Sequence, residues 1–203
     1  MKAGGASPLL WAAALVPLLY FGSQAVLIPL TPGYDPVRDI VSLLGAAGAP
    51  HAQAFNLAML ASGLGAIAGA VGLIRSSAGP IAVLAALALG GTGLGDMWAA
   101  AHPLPDPRHA ANPFLPALVA LPVALALFAW REEPLRRVRP WLALNLLLFV
   151  GLWWVRGLAP PAMAGLMQRL HAATLYAPPA VVALALLRSG RSQSSGSRKA
   201  MRP

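Results

Sequence analysis

Six apolar stretches, each close to the length that carries an α-helix across a bilayer, decide what this chain can fold into. They cover residues 8–30, 51–74, 81–101, 113–130, 141–155 and 162–187. Only 10% of the 203 residues are charged, whereas soluble domains carry about 25%. A water-soluble fold of this size could not hide so much apolar surface, so lipid must be the solvent for most of it. The expected fold is therefore all-α: a polytopic membrane bundle of about six transmembrane helices. Residues 1–188 form one integral membrane domain, and the Ser- and Arg-rich residues 189–203 read as a basic disordered tail. The absence of cysteine excludes disulfides, thiolate metal sites and cysteine nucleophiles.

The first stretch follows Lys2 and contains Ser23-Gln24-Ala25, which a signal-peptide reading would use as a cleavage site. The apolar run continues past Ala25 to spanning length, so an uncleaved anchor is the preferred reading. Next comes the breaker cluster 31–36, in which Asp35 and Pro36 suit an N-cap and a first helical position. At 100° per residue, Arg38, Asp39 and Ser42 then share one face, and Val37, Ile40, Val41 and Leu44 the other. A short amphipathic helix on the membrane surface is expected here, ended by Gly45 and Gly48.

In the second stretch, Gly65 and Gly69 have the spacing that lets helices approach closely. The glycine-rich run from Gly90 to Asp96 lacks the Gly-Lys-Ser/Thr ending of a nucleotide loop and is read as close packing too. Pro116 and Pro122 are expected to kink the fourth span, and Pro178-Pro179 to bend the sixth.

Charge sets the expected orientation. With both termini in the cytoplasm, eleven of the fifteen Lys and Arg residues fall on the cytoplasmic side or its margin. A multi-pass protein of the cytoplasmic (inner) membrane follows. The net charge of +9 is explained by this bias and by attraction of the tail to anionic headgroups, so no nucleic acid is invoked.

That orientation gathers the four histidines and four of the six acids at the outer end. Asp39, Ser42, Asp106 and His109 are the candidate acid–base and nucleophilic groups. Arg38, Asp96, Arg108, Gln168 and Arg169 are candidate ligand-binding groups, the arginines for phosphate or carboxylate. His102, Asp106, His109 and His171 offer nitrogen and oxygen ligands for a divalent metal such as zinc, although His-x3-Asp-x2-His across three prolines matches no standard helical metal motif. Against these stands a structural alternative for each. Asp35 caps, loop histidines are solvated, and Arg169 pairs with Asp96 or Asp39 to satisfy both.

Gly33-Tyr34-Asp35-Pro36-Val37-Arg38-Asp39-Ile40-Val41-Ser42-Leu43-Leu44-Gly45, followed by Gly48-Ala49-Pro50-His51-Ala52, resembles a bacterial and archaeal membrane group, the domain of unknown function 998 family. The resemblance runs from the first span through the sixth. It implies about six spans, a Tyr-Asp-Pro…Asp-x-x-Ser-x-Leu-Gly stretch after the first and an Asp- and His-containing loop after the third, where Asp106 and His109 stand. Leu43 occupies a position that is commonly acidic in the family, so no carboxylate role carries over there. The family's activity is unknown, so the resemblance implies architecture rather than mechanism.

No motif assigns a reaction. Three readings follow from the residues. The outer cluster binds or hydrolyses a lipid headgroup or similar amphiphile. The chain is a non-catalytic assembly partner of another membrane protein or of itself. Or it is a small-solute permease, against which the near absence of ionisable groups in the inner halves of the spans counts, with Asn56 and Asn145 the thin evidence for a path.

Overall fold

The structure, a computed structural model, describes residues 7–200 and their side chains through residue 190. Lys2 and residues 201–203 of the tail lie outside the described residues. Seven α-helices follow in order: α1 (Ser7–Leu27), α2 (Ala52–Ser76), α3 (Pro80–Ala101), the single turn α4 (Pro107–Ala110), α5 (Leu115–Arg131), α6 (Arg139–Leu158) and α7 (Ala164–Ala200). No strand occurs among the described residues. The helices form six segments long and apolar enough to cross a membrane, α4 and α5 sharing the fourth, Pro107–Arg131, so the chain is a multi-pass helical bundle.

The most extensive packing is of α2 against α3 and α1, and glycine explains it. A Cβ on Gly63 would lie 2.5 Å from the carbonyl oxygen of Gly93, and one on Gly93 would lie equally close to that of Gly63. These two backbones touch because neither residue has a side chain. Gly65 and Gly69 serve the same purpose against Ala12 and Ala13 of α1. The Gly90–Asp96 run is thus a packing surface, as its sequence implied.

Several elements differ from expectation. Pro116 sits in the first turn of α5, where its missing N–H has no helical partner to lose, so only Pro122 is internal. The helix α7 is described as far as Ala200.

The segment expected as an amphipathic helix from Val37 to Leu44 is instead a set of turns leading into a 3-10 helix, Val41–Gly45. Its carbonyls are used elsewhere. Arg38 and Val37 oxygens accept from Gly165 and Leu166 N–H at 3.2 and 2.9 Å, two amides that the start of α7 cannot satisfy itself. Val41 and Leu44 are buried, so this segment is tucked into the end of the bundle rather than laid along its surface.

Candidate functional site

The connections after α1, α3 and α6 lie at one end of the bundle, which is also the end that gathers the polar groups. Two of these connections are stitched together by Ala47 N–H donating to the Leu104 carbonyl at 2.7 Å. The contact brings the Val41–Gly45 helix beside α4. Asp106 caps α4 by accepting from Arg108 N–H, and Pro107 begins it. Trp98 on α3 holds the far side, with its indole N–H donating to the Arg108 carbonyl at 2.8 Å.

This framework places His109 Nε2 3.0 Å from Ser42 Oγ. The other ring nitrogen, Nδ1, lies 2.9 Å from the His102 carbonyl oxygen. A carbonyl can only accept, so the proton of the neutral ring resides on Nδ1 and Nε2 accepts from the serine hydroxyl. Nucleophile, base and orienting acceptor are therefore aligned, with a backbone carbonyl where hydrolytic triads usually have a carboxylate.

Ser42 and His109 line a cavity of about 370 Å3 that reaches into the bundle. Its floor holds Asp96, buried, whose two carboxylate oxygens accept from Tyr176 at 2.5 Å and Ser62 at 3.2 Å. Tyr176 in turn stacks on Tyr20, ring centroids 4.2 Å apart. One wall carries Gln168, whose Oε1 accepts from Val41 N–H at 2.6 Å. That bond to the residue before Ser42 fixes the amide's orientation and leaves its NH2 group without a protein acceptor among the described residues. His171 and Arg156 complete the lining relevant to chemistry.

The remaining candidates are held elsewhere. Arg38 binds Asp39 through two hydrogen bonds of 2.7 and 2.9 Å. That guanidinium and the Asp35 N–H hold the Asp39 carboxyl down at about 2. Arg108 likewise binds both oxygens of Asp106 and lowers it to about 2. Arg169 forms neither of the carboxylate pairs expected of it. Its Nη1 donates to the Pro36, Asp39 and Gly165 carbonyls, and its Nη2 to the Tyr34 hydroxyl at 2.6 Å. A guanidinium presents five donors, and the turns of residues 36–40 expose unpaired carbonyls that meet them. Burial pushes the Tyr34 hydroxyl up, so it stays a neutral donor to the Asp39 and Ile40 carbonyls.

No group of three or more His, Asp or Glu side chains placed to hold a metal ion occurs among the described residues. His102, Asp106, His109 and His171 do not converge. Both nitrogens of His109 are engaged and both oxygens of Asp106 face Arg108. Arg156 is the group that sequence reasoning passed over. Its one signal in the sequence is its place at the end of a short, tryptophan-rich span.

Residues 12–185 match the family described as "Protein of unknown function (DUF998)", and the chain belongs to that family. No curated protein and no solved structure matches it.

Proposed function

We propose that this member of the DUF998 family is a membrane-embedded serine hydrolase. It would act on an acyl ester or amide of an amphiphile at the outer leaflet of the cytoplasmic membrane, both termini lying in the cytoplasm. The orientation rests on the excess of Lys and Arg at the opposite end of the bundle. The reaction rests on one observation: the Ser42–His109 contact at 3.0 Å, with the ring held by the His102 carbonyl in the tautomer a general base needs.

In this reading Ser42 Oγ attacks the acyl carbon while its proton passes to His109 Nε2. The tetrahedral oxyanion is met by the free amide N–H of Gln168, which Val41 already holds rigid. Collapse breaks the bond to the leaving oxygen or nitrogen, which takes the proton from His109. Water then attacks the acyl-serine, gives its proton to Nε2, and the proton returns to Ser42 as the acid departs. The cavity is large enough for the reacting portion of such a substrate and is bounded by apolar side chains.

The test is turnover of acyl esters, from nitrophenyl butyrate to long-chain glycerol esters, by the full chain purified in maltoside. Turnover that Ser42→Ala reduces at least a hundredfold is expected. Equal rates for the parent and Ser42→Ala would remove the proposal.

A further inference from the structure

We infer that the cavity recognises an anionic amphiphile carrying a hydrogen-bond donor beside its acid group, with Arg156 taking the anion and His171 the donor. This deepens the hydrolase reading and names the substrate class of the same site.

Two unpartnered groups on the cavity wall carry the inference. His171 is buried, and its Nδ1 lies 3.3 Å from the Met167 carbonyl. Nδ1 therefore bears the ring proton, and Nε2 is a bare acceptor. That nitrogen is sealed from solvent yet has no donor. A buried acceptor without a donor is destabilising, and a ligand hydroxyl or amide N–H supplies what is lacking. The rings of Phe149 and Trp153 stand nearly perpendicular to the imidazole, each with its centroid 5.8 Å away, and supply no hydrogen bond to Nε2.

Arg156 lies on the same helix as that aromatic pair. Unlike Arg38, Arg108 and Arg169, it has no hydrogen bond or ion pair among the described residues. An unpaired guanidinium at a cavity edge, on an otherwise apolar helix end, is a site for phosphate or carboxylate.

The apolar part of the ligand has a way out between α5 and α6. Leu115, Val119 and Trp153 all line the cavity, and they are 49%, 44% and 55% exposed. A chain that leaves the cavity past these exposed apolar side chains can lie between the two helices while its headgroup remains inside.

The full chain in maltoside micelles would be titrated with 1-O-hexadecylglycerol 3-phosphate, with its 2-O-methyl ether, and with the phosphate-free 1-O-hexadecylglycerol. These ethers cannot be hydrolysed, so binding is measured whether or not the protein cleaves esters. The free hydroxyl should improve binding about tenfold over the methyl ether, and His171→Phe should erase that difference. Arg156→Gln should weaken both phosphates at least tenfold and leave the neutral lipid unchanged. Equal affinity for the two ethers in the parent protein would overturn the role of His171 without recourse to a variant. Undiminished phosphate binding by Arg156→Gln would overturn that of Arg156. Displacement of the lipid by an equal concentration of inorganic phosphate would show a site for the free anion and overturn the amphiphile. Failure of ester turnover with these results intact would count against the hydrolase reading alone.

Discussion

Ser42 Oγ stands 3.0 Å from His109 Nε2 across 67 residues of chain, and nothing local to either residue requires it. Two loops are pinned together by backbone, Ala47 to Leu104, and the side chains meet as a consequence. A serine so activated should react with a fluorophosphonate. Labelling of the full chain should occur at Ser42, be absent in Ser42→Ala, and slow by about two orders of magnitude in His109→Gln. Peptide mapping of the labelled protein reads this directly.

Arg169 acts on the site from behind. Its guanidinium binds the Pro36 and Asp39 carbonyls, and its place on α7 is next to Gln168, which holds Val41. Arg169→Met should release residues 33–41 from the start of α7 while the bundle persists. The loss should be about 2 kcal/mol, the scale for hydrogen bonds to a charged group. Hydrogen exchange should accelerate in residues 33–45 and remain unchanged in α2 and α3. Uniform acceleration across the bundle would assign Arg169 to global stability instead.

The spans were legible because crossing hydrocarbon imposes a length and composition on each helix separately, and close packing of the second and third spans because glycine spacing is local, but not which helix each glycine meets. The site was legible only as an inventory. Ser42 and His109 both drew attention, but their pairing depends on how loops dock. Arg169 was misjudged in a physically instructive way. Its charge suggested a carboxylate, while the turns preceding Val41 offered carbonyls that no helix had claimed. Those same carbonyls explain why residues 37–44 did not become the amphipathic helix their pattern favoured. Period alone does not reveal that the first amides of α7 compete for their oxygens.

The glycines separate packing from chain flexibility. Gly63→Ala forces a methyl group onto the Gly93 carbonyl oxygen, and backbone cannot give way cheaply. A loss of about 1–3 kcal/mol is expected. Gly151→Ala on α6 meets nothing within 4 Å and should stabilise by up to about 1 kcal/mol through helix propensity. Thermal unfolding in detergent should move in opposite directions for the two variants. A shared direction would mean that contact between α2 and α3 does not limit stability.

Acid should affect the loop at an unusually low pH. Arg38 and the Asp35 N–H hold the Asp39 carboxyl at about 2, below its ordinary 3.8. A depressed carboxyl contributes stability that is fully present above the unfolded value and is lost as pH falls through the folded one. The contribution should therefore persist at pH 4 and disappear towards pH 2. Carbon-13 NMR of labelled aspartate should show Asp39 titrating near the lower value, and Arg38→Ala should raise it towards 3.8. A midpoint near 3.8 in the parent protein would mean that the Arg38 contact is not held in solution.

The proposed chemistry also requires a particular sidedness. Residues 132–138 join α5 to α6 at one end of the bundle, and residues 102–106 leave α3 at the other. The first connection contains Arg136 and Arg137, and the second leads to His109. Basic residues are retained in the cytoplasm during insertion, so the Ser42–His109 pair should face outward, where only outer-leaflet lipid can reach it. Cysteine scanning is clean because the chain has no cysteine of its own. A membrane-impermeant maleimide applied to intact cells should label a cysteine placed at residue 104 and spare one placed at the exposed residue 137 until the cells are opened. The reverse pattern would keep the fold and the catalytic pair but move the reaction to the cytoplasmic leaflet, overturning the proposed substrate pool.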